Sequence, residues 1–543
     1  MSKVAHYLQE HLVGEVLTST DARRYFSTDG SILQAPPALI VYPRNENDVR
    51  KTARFSWQLA ERGRMIPITA RGLGTNKSGA ALSSGIMVVF PAHLNRILEL
   101  DTKANTVTVE PGINYSKLQQ TLHTHGRFLP PFPPNSEYST VGGAIAENTS
   151  GEKSVKYGDH REYVKSLRFV LANGEIIETS RLSKRELNKK LGLATFEGEI
   201  YRSLDTLLEE NHDLVDQLEK PVKHDSAGYD LKDIKRKDGS FDLTPLIVGS
   251  QGTLGIITEA VLNTEPHNPL TTLMMARFDS IEHLQQAVVE LHSFKEKPSA
   301  IELIDQNVLE QVQEINPNQL KDIIKPPFSP YILIVEFDNG SRTIKKLVKR
   351  ANRVLEKYAT AIQIESDSDE QQGIIKLRQS TSLLLAHNQG MAHATPLVDA
   401  SVPQDRIREY IEGVYRMLKA IGLEPALWGH IGDGNIHLQP ILNISQVGDR
   451  QKAFRLMNDH NMLVIKLGGT IGGSSGEGRL RTPYLEHMYG TEIYNLLYKV
   501  KQIFDPYNTL NPGVKFNTSL DDIKDMLRND FSLEHIYDYL PRS

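Results

Sequence analysis

At 543 residues the chain is long enough for two or three domains, each able to bury its own core, and its 39% hydrophobic and 24% charged residues are those of a folded globular protein. A formal net charge of -5, from 62 basic and 67 acidic residues well mixed along the chain, leaves no positive field for nucleic acid or anionic lipid. The absence of cysteine excludes disulfides, thiolate metal sites, cysteine-ligated iron–sulfur clusters and a nucleophilic thiol.

Residues 1–35 read as a helical lead-in with a cap at Thr20 or Asp21 and without the basic start and apolar stretch of a secretory signal. Apolar runs such as 86–90 and 331–335 are strand-sized, far below the roughly 20 residues of a membrane-spanning helix. No transmembrane segment is expected, and a cytoplasmic location follows by default. A second unit, 36–267, opens with a strand at 38–42 and a helix at 46–62. Short strands follow at 65–69, 86–90, 106–109, 167–171 and 175–179, punctuated by Gly, Pro and Asn. Residues 211–242 turn polar and rich in Lys and Asp, which reads as a surface excursion before a strand at 246–249. A third unit, 268–503, alternates a strand at 271–278, a helix at 281–294, strands at 301–304 and 331–337 and a helix at 343–358, the pattern of a sheet covered on one face by helices. Residues 504–543 form a final segment. The fold class is α+β.

Three small-residue segments carry the first chemical signal. The first, after the 65–69 strand, is Ala70-Arg71-Gly72-Leu73-Gly74-Thr75-Asn76-Lys77-Ser78-Gly79; its glycines permit positive φ and its clustered amides make an anion nest. A tight turn is the alternative. A Rossmann site needs a helix opening at the glycines, and here the chain runs into the next strand. The second is Thr140-Val141-Gly142-Gly143-Ala144-Ile145-Ala146-Glu147-Asn148 and the third Gly249-Ser250-Gln251-Gly252-Thr253-Leu254-Gly255-Ile256-Ile257-Thr258. Each lies beside a strand, which suits a long cofactor threaded between two subdomains.

In order and spacing these segments resemble the FAD-binding domain of the vanillyl-alcohol oxidase and p-cresol methylhydroxylase superfamily. The resemblance implies a two-subdomain FAD-binding domain over 36–267, an α+β substrate or cap domain with an antiparallel sheet over 268–503, and a return to the flavin in 504–543. It places Arg71, Gly72, Gly74, Thr75, Asn76 and Ser78 at the pyrophosphate and Thr140, Gly142, Gly143, Ala146 and Asn148 beside the isoalloxazine. Gly252, Thr253, Gly255 and Ile257 fall at the adenine end. The residues that relatives use for covalent attachment are missing, so FAD is expected to be non-covalent. Where relatives often carry Pro-Asp-Pro, this chain reads Pro131-Phe132-Pro133.

Trp428-Gly429-His430-Ile431-Gly432-Asp433-Gly434-Asn435-Ile436-His437 sets two imidazoles around a glycine-rich turn. If the turn folds back, both rings meet one ion, with Asp433 or Asn435 orienting them; two structural histidines in a hairpin are the alternative. The motif resembles the signature of the D-lactate and D-2-hydroxyglutarate dehydrogenase branch, in which both histidines hold a divalent metal such as zinc. That likeness makes His430 and His437 metal ligands and catalytic residues. The branch completes its site with Ser-Gly-Glu-His-Gly, supplying a third ligand and a base. Here the segment is Gly473-Ser474-Ser475-Gly476-Glu477-Gly478-Arg479, with serine at both places, and Glu477 and His487 are the nearest substitutes.

Lys376-Leu377-Arg378 resembles the family's Leu-Arg pair, making Arg378 the clamp for a substrate carboxylate, and Asp399-Ala400-Ser401-Val402-Pro403 agrees with its Asp-x-x-Val-Pro. Phe504 to Gly513 matches the returning segment and makes Asn511 a flavin contact. Arg479 to Leu485 and Met488-Tyr489-Gly490 most resemble the flavin half of the large fused iron–sulfur form. The reading is an FAD-dependent dehydrogenase that moves hydride from a D-2-hydroxy acid of the lactate or 2-hydroxyglutarate class to flavin, then electrons to a quinone or a separate redox protein. Arg378, His430, His437 and Glu477 are its catalytic candidates. The rivals are a catalytically impaired flavin-binding subunit and a metal-independent FAD oxidase of another alcohol.

Overall fold

Leu39–Tyr42, Ile86–Val89 and Ile68–Arg71 lie side by side as parallel strands, in that order. Parallel strands are covered on both faces, and accordingly all four residues of Ile86–Val89 are buried. Val49 and Ala53 of the helix Glu46–Glu61 pack over Val41, Ile68 and Val88, while Phe26 covers Ile40, Met87 and Val89 from the other side. Asn45 caps that helix by accepting from the Asp48 N–H at 3.1 Å. The computed structural model behind this description covers residues 2–528 apart from 132, 134, 387, 390 and 391. Phe132 of the Pro-Phe-Pro departure therefore lies outside the described residues.

The lead-in is not purely helical. After the helix Ser2–His11, Glu15–Leu17 adds an antiparallel edge strand against Leu39–Tyr42. The buried Asp48 carboxylate holds it there, accepting from the N–H of Val13 and Gly14, both at 2.9 Å, and of Arg44 at 3.0 Å. The next helix, Thr20–Tyr25, is capped by Ser19, one residue before the expected position.

A second, antiparallel sheet runs in the order Ile97–Asp101, Thr106–Val109, Ile256–Asn263, Val164–Val170, Ile176–Glu178. Two expectations fail beside it. The expected strand at 246–249 is the helical turn Thr244–Ile247, with Pro245 in its first turn, where a missing N–H costs nothing. The polar 211–242 stretch is a surface excursion only in its first part, 211–223, because Tyr229, Leu231, Ile234 and Phe241 enter the main core. Its lysines and aspartates flank these anchors and outweigh them in a composition average.

The third sheet is wholly antiparallel, in the order Ala361–Glu365, Thr272–Phe278, Tyr331–Phe337, Ala300–Asp305, Leu427–His430, Asn435–Leu438. Its alternation fills both faces. Met274, Ala276, Leu333 and Val335 face Leu284, Val288 and Leu291 of the helix Ile281–His292. Leu273, Met275, Ile332 and Ile334 face Val308, Leu309 and Val312 of Gln306–Ile315 and Ile374 and Leu377 of Ser368–Gln379. Helices thus cover two faces rather than the one expected, since strands with no polar side bury both. Among the described residues, no helix is long and apolar enough to cross a membrane.

Candidate functional site

The three glycine-rich segments meet. Among the described residues, the N–H groups of 72–77 donate to no protein acceptor, leaving a row of amides open to an anion. Asn76 shapes the row: its Oδ1 accepts from the N–H of Ser78 at 3.0 Å and of Ala80 at 2.7 Å, and its amide donates to Glu147 Oε1 at 2.7 Å. Gly74 has φ +77, and a Cβ there lies 2.1 Å from Arg71 Nη2. Arg71 itself braces the loop from beneath, donating to the carbonyls of Thr28 at 2.8 Å and Ala81 at 3.3 Å. A Cβ on Gly72 meets Thr140 Oγ1 at 2.2 Å, so the first and second segments touch through the missing side chain.

The second segment is the start of a helix, Val141–Glu147, rather than an extended loop beside a strand. Thr140 caps it, Oγ1 accepting from the Gly143 N–H at 3.2 Å, and Gly142 packs on Pro111. Ala146 offers its carbonyl to the Gln251 N–H at 2.8 Å, tying the second segment to the third. Asn148 ends the helix at φ 48 and spends its amide on Asp159 and Ser226. In the third segment Gly252, at φ +72, faces open space, so its main chain is exposed to a ligand. Thr253 Oγ1 donates to the Ser250 carbonyl at 2.6 Å and bonds the Tyr229 hydroxyl at 2.7 Å. Gly255 is required by the Phe169 ring, which a Cβ approaches to 2.3 Å, and Ile257 pairs with Phe169 in the ladder. The open amides and the bare Gly252 face fit a dinucleotide. Asn511 does not contact it through its side chain, whose hydrogen-bonding capacity is spent: Nδ2 donates to the carbonyls of Ala80 at 2.9 Å and Gln251 at 2.8 Å, while Oδ1 accepts from Thr69 and Arg479. It locks the first and third segments together instead.

The histidine motif is a hairpin of Leu427–His430 and Asn435–Leu438, with Gly434 at φ 68 closing the turn. His430 stands opposite Asn435 and His437 opposite Trp428, so the imidazoles are diagonal neighbours on one face, centroids 5.1 Å apart and planes at 87°. The Nε2 of each is buried and, among the described residues, unpartnered. Neither Asp433 nor Asn435 orients them. Glu302 orients His430, lying 2.8 Å from its Nδ1, while Asp433 faces His224 at 3.3 Å and Asn435 donates to Asp399 at 3.0 Å and to the Ala400 carbonyl at 2.6 Å. Burial disfavours a charged His430, but the carboxylates of Glu302, Asp433 and Glu152 together outweigh it and raise the ring's pKa. His437, buried beside His430 and under the field of Lys77, is pushed down to about 3 and stays neutral.

The donors around this pair do not complete a metal site. Zinc takes at least three protein ligands, and among the described residues no three His, Asp or Glu side chains are grouped to hold an ion. Asp399 is spent on the serines: Ser474 donates its N–H at 2.9 Å and its hydroxyl at 3.0 Å to Oδ2, and Ser475 does the same at 3.0 and 3.3 Å. Glu477, expected as the replacement carboxylate, is bound to Lys515 at 2.8 Å and to the Gly228 N–H at 3.1 Å. His487 is exposed on the helix Leu485–Phe504. Among the described residues, the site holds two imidazoles and no group of three donors of the kind a metal requires.

Arg378, at the end of Ser368–Gln379, is brought to the same place. Its Nη1 donates to Glu336 at 3.1 Å and its Nε lies 3.4 Å from Glu152. Its pKa is raised: burial opposes its charge, but Glu152, Glu336 and Glu302 favour it. Glu152, Glu302 and Glu336 were missed in the sequence. The last two carried a signal, since each is a carboxylate flanked on both sides by apolar residues within a buried strand.

Residues 37–180 match the family of FAD binding domains and residues 268–514 that of FAD linked oxidases, C-terminal domain. The D-2-hydroxyglutarate dehydrogenase of Pantoea ananatis is 30% identical over 97% of this chain, which spans 52% of that relative. The chain thus spans about half the length of the dehydrogenases of this kind that it matches. The glycolate oxidase subunit GlcD of Bacillus subtilis is 29% identical over 89% of this chain and 90% of its own length, and the D-lactate dehydrogenase of Archaeoglobus fulgidus 27% over 92% and 96%. The fold is similar to p-cresol methylhydroxylase, with a TM-score of 0.70 at 14% identity over 96% of this chain and 97% of that one. A 4-ethylphenol oxidase from Gulosibacter chungangensis gives the same TM-score at 13% identity over 96% and 98%. On the two domain matches together, the chain belongs to the FAD-linked oxidases and has the p-cresol methylhydroxylase type of α+β fold.

Proposed function

We propose that this FAD-linked oxidase oxidises a small D-2-hydroxy acid, of the lactate or 2-hydroxyglutarate class, to the 2-oxo acid. The observation that carries this reading is the buried His430–His437 pair, both Nε2 atoms unpartnered among the described residues, with Arg378 acting on Glu302, the carboxylate behind His430. Bound flavin supplies the hydride acceptor. Arg378 takes the carboxylate on N–H groups not given to Glu336 and Glu152, which sets the adjacent hydroxyl toward the imidazoles. His430, with Glu302 behind Nδ1, receives the hydroxyl proton at Nε2, and the Glu302 charge stabilises the imidazolium that results. His437 stays neutral and holds the hydroxyl in line. Electrons then pass to a separate acceptor, a quinone or redox protein. No step requires a resident metal. The test is anaerobic: the purified yellow protein should bleach with D-lactate or D-2-hydroxyglutarate and not with the L enantiomers, and denaturation should release FAD. Bleaching by neither acid sinks the reading.

One observation favours a second reading. Ser474 and Ser475 stand where relatives place a ligand and a base, and both serve Asp399. A flavin-binding subunit with impaired catalysis keeps its colour and does not bleach with either acid.

A further inference from the structure

The second glycine-rich segment continues past its helix into Ser150-Gly151-Glu152, and Ser150 is pinned to the serine segment, its N–H donating to the Ser474 carbonyl at 3.1 Å and its hydroxyl to Gly473 at 3.4 Å. Glu152, two residues on, is thereby carried to the edge of the histidine site, where its carboxylate lies 3.4 Å from Arg378 Nε and its field reaches His430 and Glu302.

The charges around it do not favour a second anion. Arg378 already faces Glu152 and Glu336. Lys153 is held by Glu336 at 2.6 Å and Asp338 at 3.5 Å, and Lys156 by Asp338. Arg481 donates to the carbonyls of Ser475 and Gly476 beside Asp399. On the Arg378 side, among the described residues, the three cations Arg378, Lys153 and Lys156 face the four carboxylates Glu336, Asp338, Glu152 and Glu302, so negative charge is in excess. One substrate carboxylate fits there by taking Arg378 N–H groups that the protein leaves over. A second carboxylate on the same short chain meets Glu152, and like charges placed together without a cation are a strong means of rejection.

We infer that Glu152 is a specificity-determining residue that restricts this site to 2-hydroxy acids with a single carboxylate and turns dicarboxylates away. The inference rests on the hydroxy-acid reading of the site and narrows it to the lactate-like class. Lys77 lies on the flavin-loop side, where its charge acts on His437, and a dicarboxylate long enough to reach it is the case that defeats the inference.

The flavin-loaded protein is titrated with pyruvate and with 2-oxoglutarate, following the visible spectrum of the flavin, and flavin reduction by D-lactate and D-2-hydroxyglutarate is timed separately. The wild type should bind pyruvate at least about 10-fold more tightly than 2-oxoglutarate. Glu152→Gln should tighten 2-oxoglutarate on the order of 10–100-fold and pyruvate less, while Glu152→Asp, which keeps the charge, should preserve the discrimination. Equal affinity in the wild type, or an unchanged ratio in Glu152→Gln, overturns the inference. If the binding preference holds and neither acid reduces the flavin, the specificity stands and the dehydrogenase reading falls. If both acids reduce it equally well, the reverse is true.

Discussion

Lys515 donates to Glu477 at 2.8 Å with both side chains fully buried, joining the returning C-terminal segment to the glycine-rich stretch after Ser475. A buried charge left without its partner is far more costly than the intact pair is stabilising. Glu477→Gln should therefore cost about 3–5 kcal/mol in denaturant unfolding and leave flavin reduction per folded molecule near the wild-type rate. A stable variant that binds FAD and has lost its chemistry would return Glu477 to the catalytic list.

Glu302 acts through His430. Glu302→Gln keeps a hydrogen-bonding group but removes the charge that fixes the ring and favours its protonated form. Flavin reduction should fall about 10–100-fold, as for other carboxylates behind a working imidazole, with substrate affinity and flavin content little changed. Parallel loss of affinity and of bound FAD would mean a packing role only.

The incomplete metal site can be completed. Ser474→Glu with Ser475→His puts a carboxylate and an imidazole beside Asp399, whose charge acts on His437, and the new carboxylate meets like charge there. Zinc should then bind at least about 10-fold more tightly than to the wild type, because two donors become three or four. Equilibrium dialysis is the measurement. Unchanged zinc binding would show that positions 474 and 475 do not converge on the histidines.

His224 sits between Asp159 at 3.4 Å and Asp433 at 3.3 Å, linking the FAD-binding half to the histidine turn. Burial opposes its charge, yet Asp433 and Asp159 raise its pKa to about 10. A raised folded-state pKa gives stability that is fully present below the unfolded value, about 6.5, and is lost as pH rises through the folded value. Stability should thus decline from about pH 7 to pH 10, by on the order of 3 kcal/mol from this residue. His224→Gln should be less stable at pH 7 and show a flatter decline. An identical slope in the variant would place the pH sensitivity elsewhere.

Much of the site was legible because glycine and histidine report local constraints. Gly72, Gly74 and Gly255 each mark a spot where a Cβ collides with a named neighbour, and the glycine-rich turn between His430 and His437 allowed the fold-back that the structure shows as a hairpin. What stayed hidden was how acids are shared. Asp399, Glu477 and Glu302 look alike in a sequence, and only the folded chain shows that one serves two serines, one a lysine and one a histidine. The 246–249 stretch failed for a related reason, since a short apolar run reads equally as a strand or a helical turn until its neighbours are known.

The clasp at Asn511 bears on the order in which the cofactor site is made during synthesis. Its side chain supports Thr69, Ala80 and Gln251, residues translated hundreds of positions earlier. While the ribosome is still making the C-terminal half, the glycine-rich loops have already emerged but lack the strut that holds them at their final spacing. Flavin capture is therefore expected to be a late event, set by closure of a loop of 442 residues rather than by folding of the half that carries the glycines.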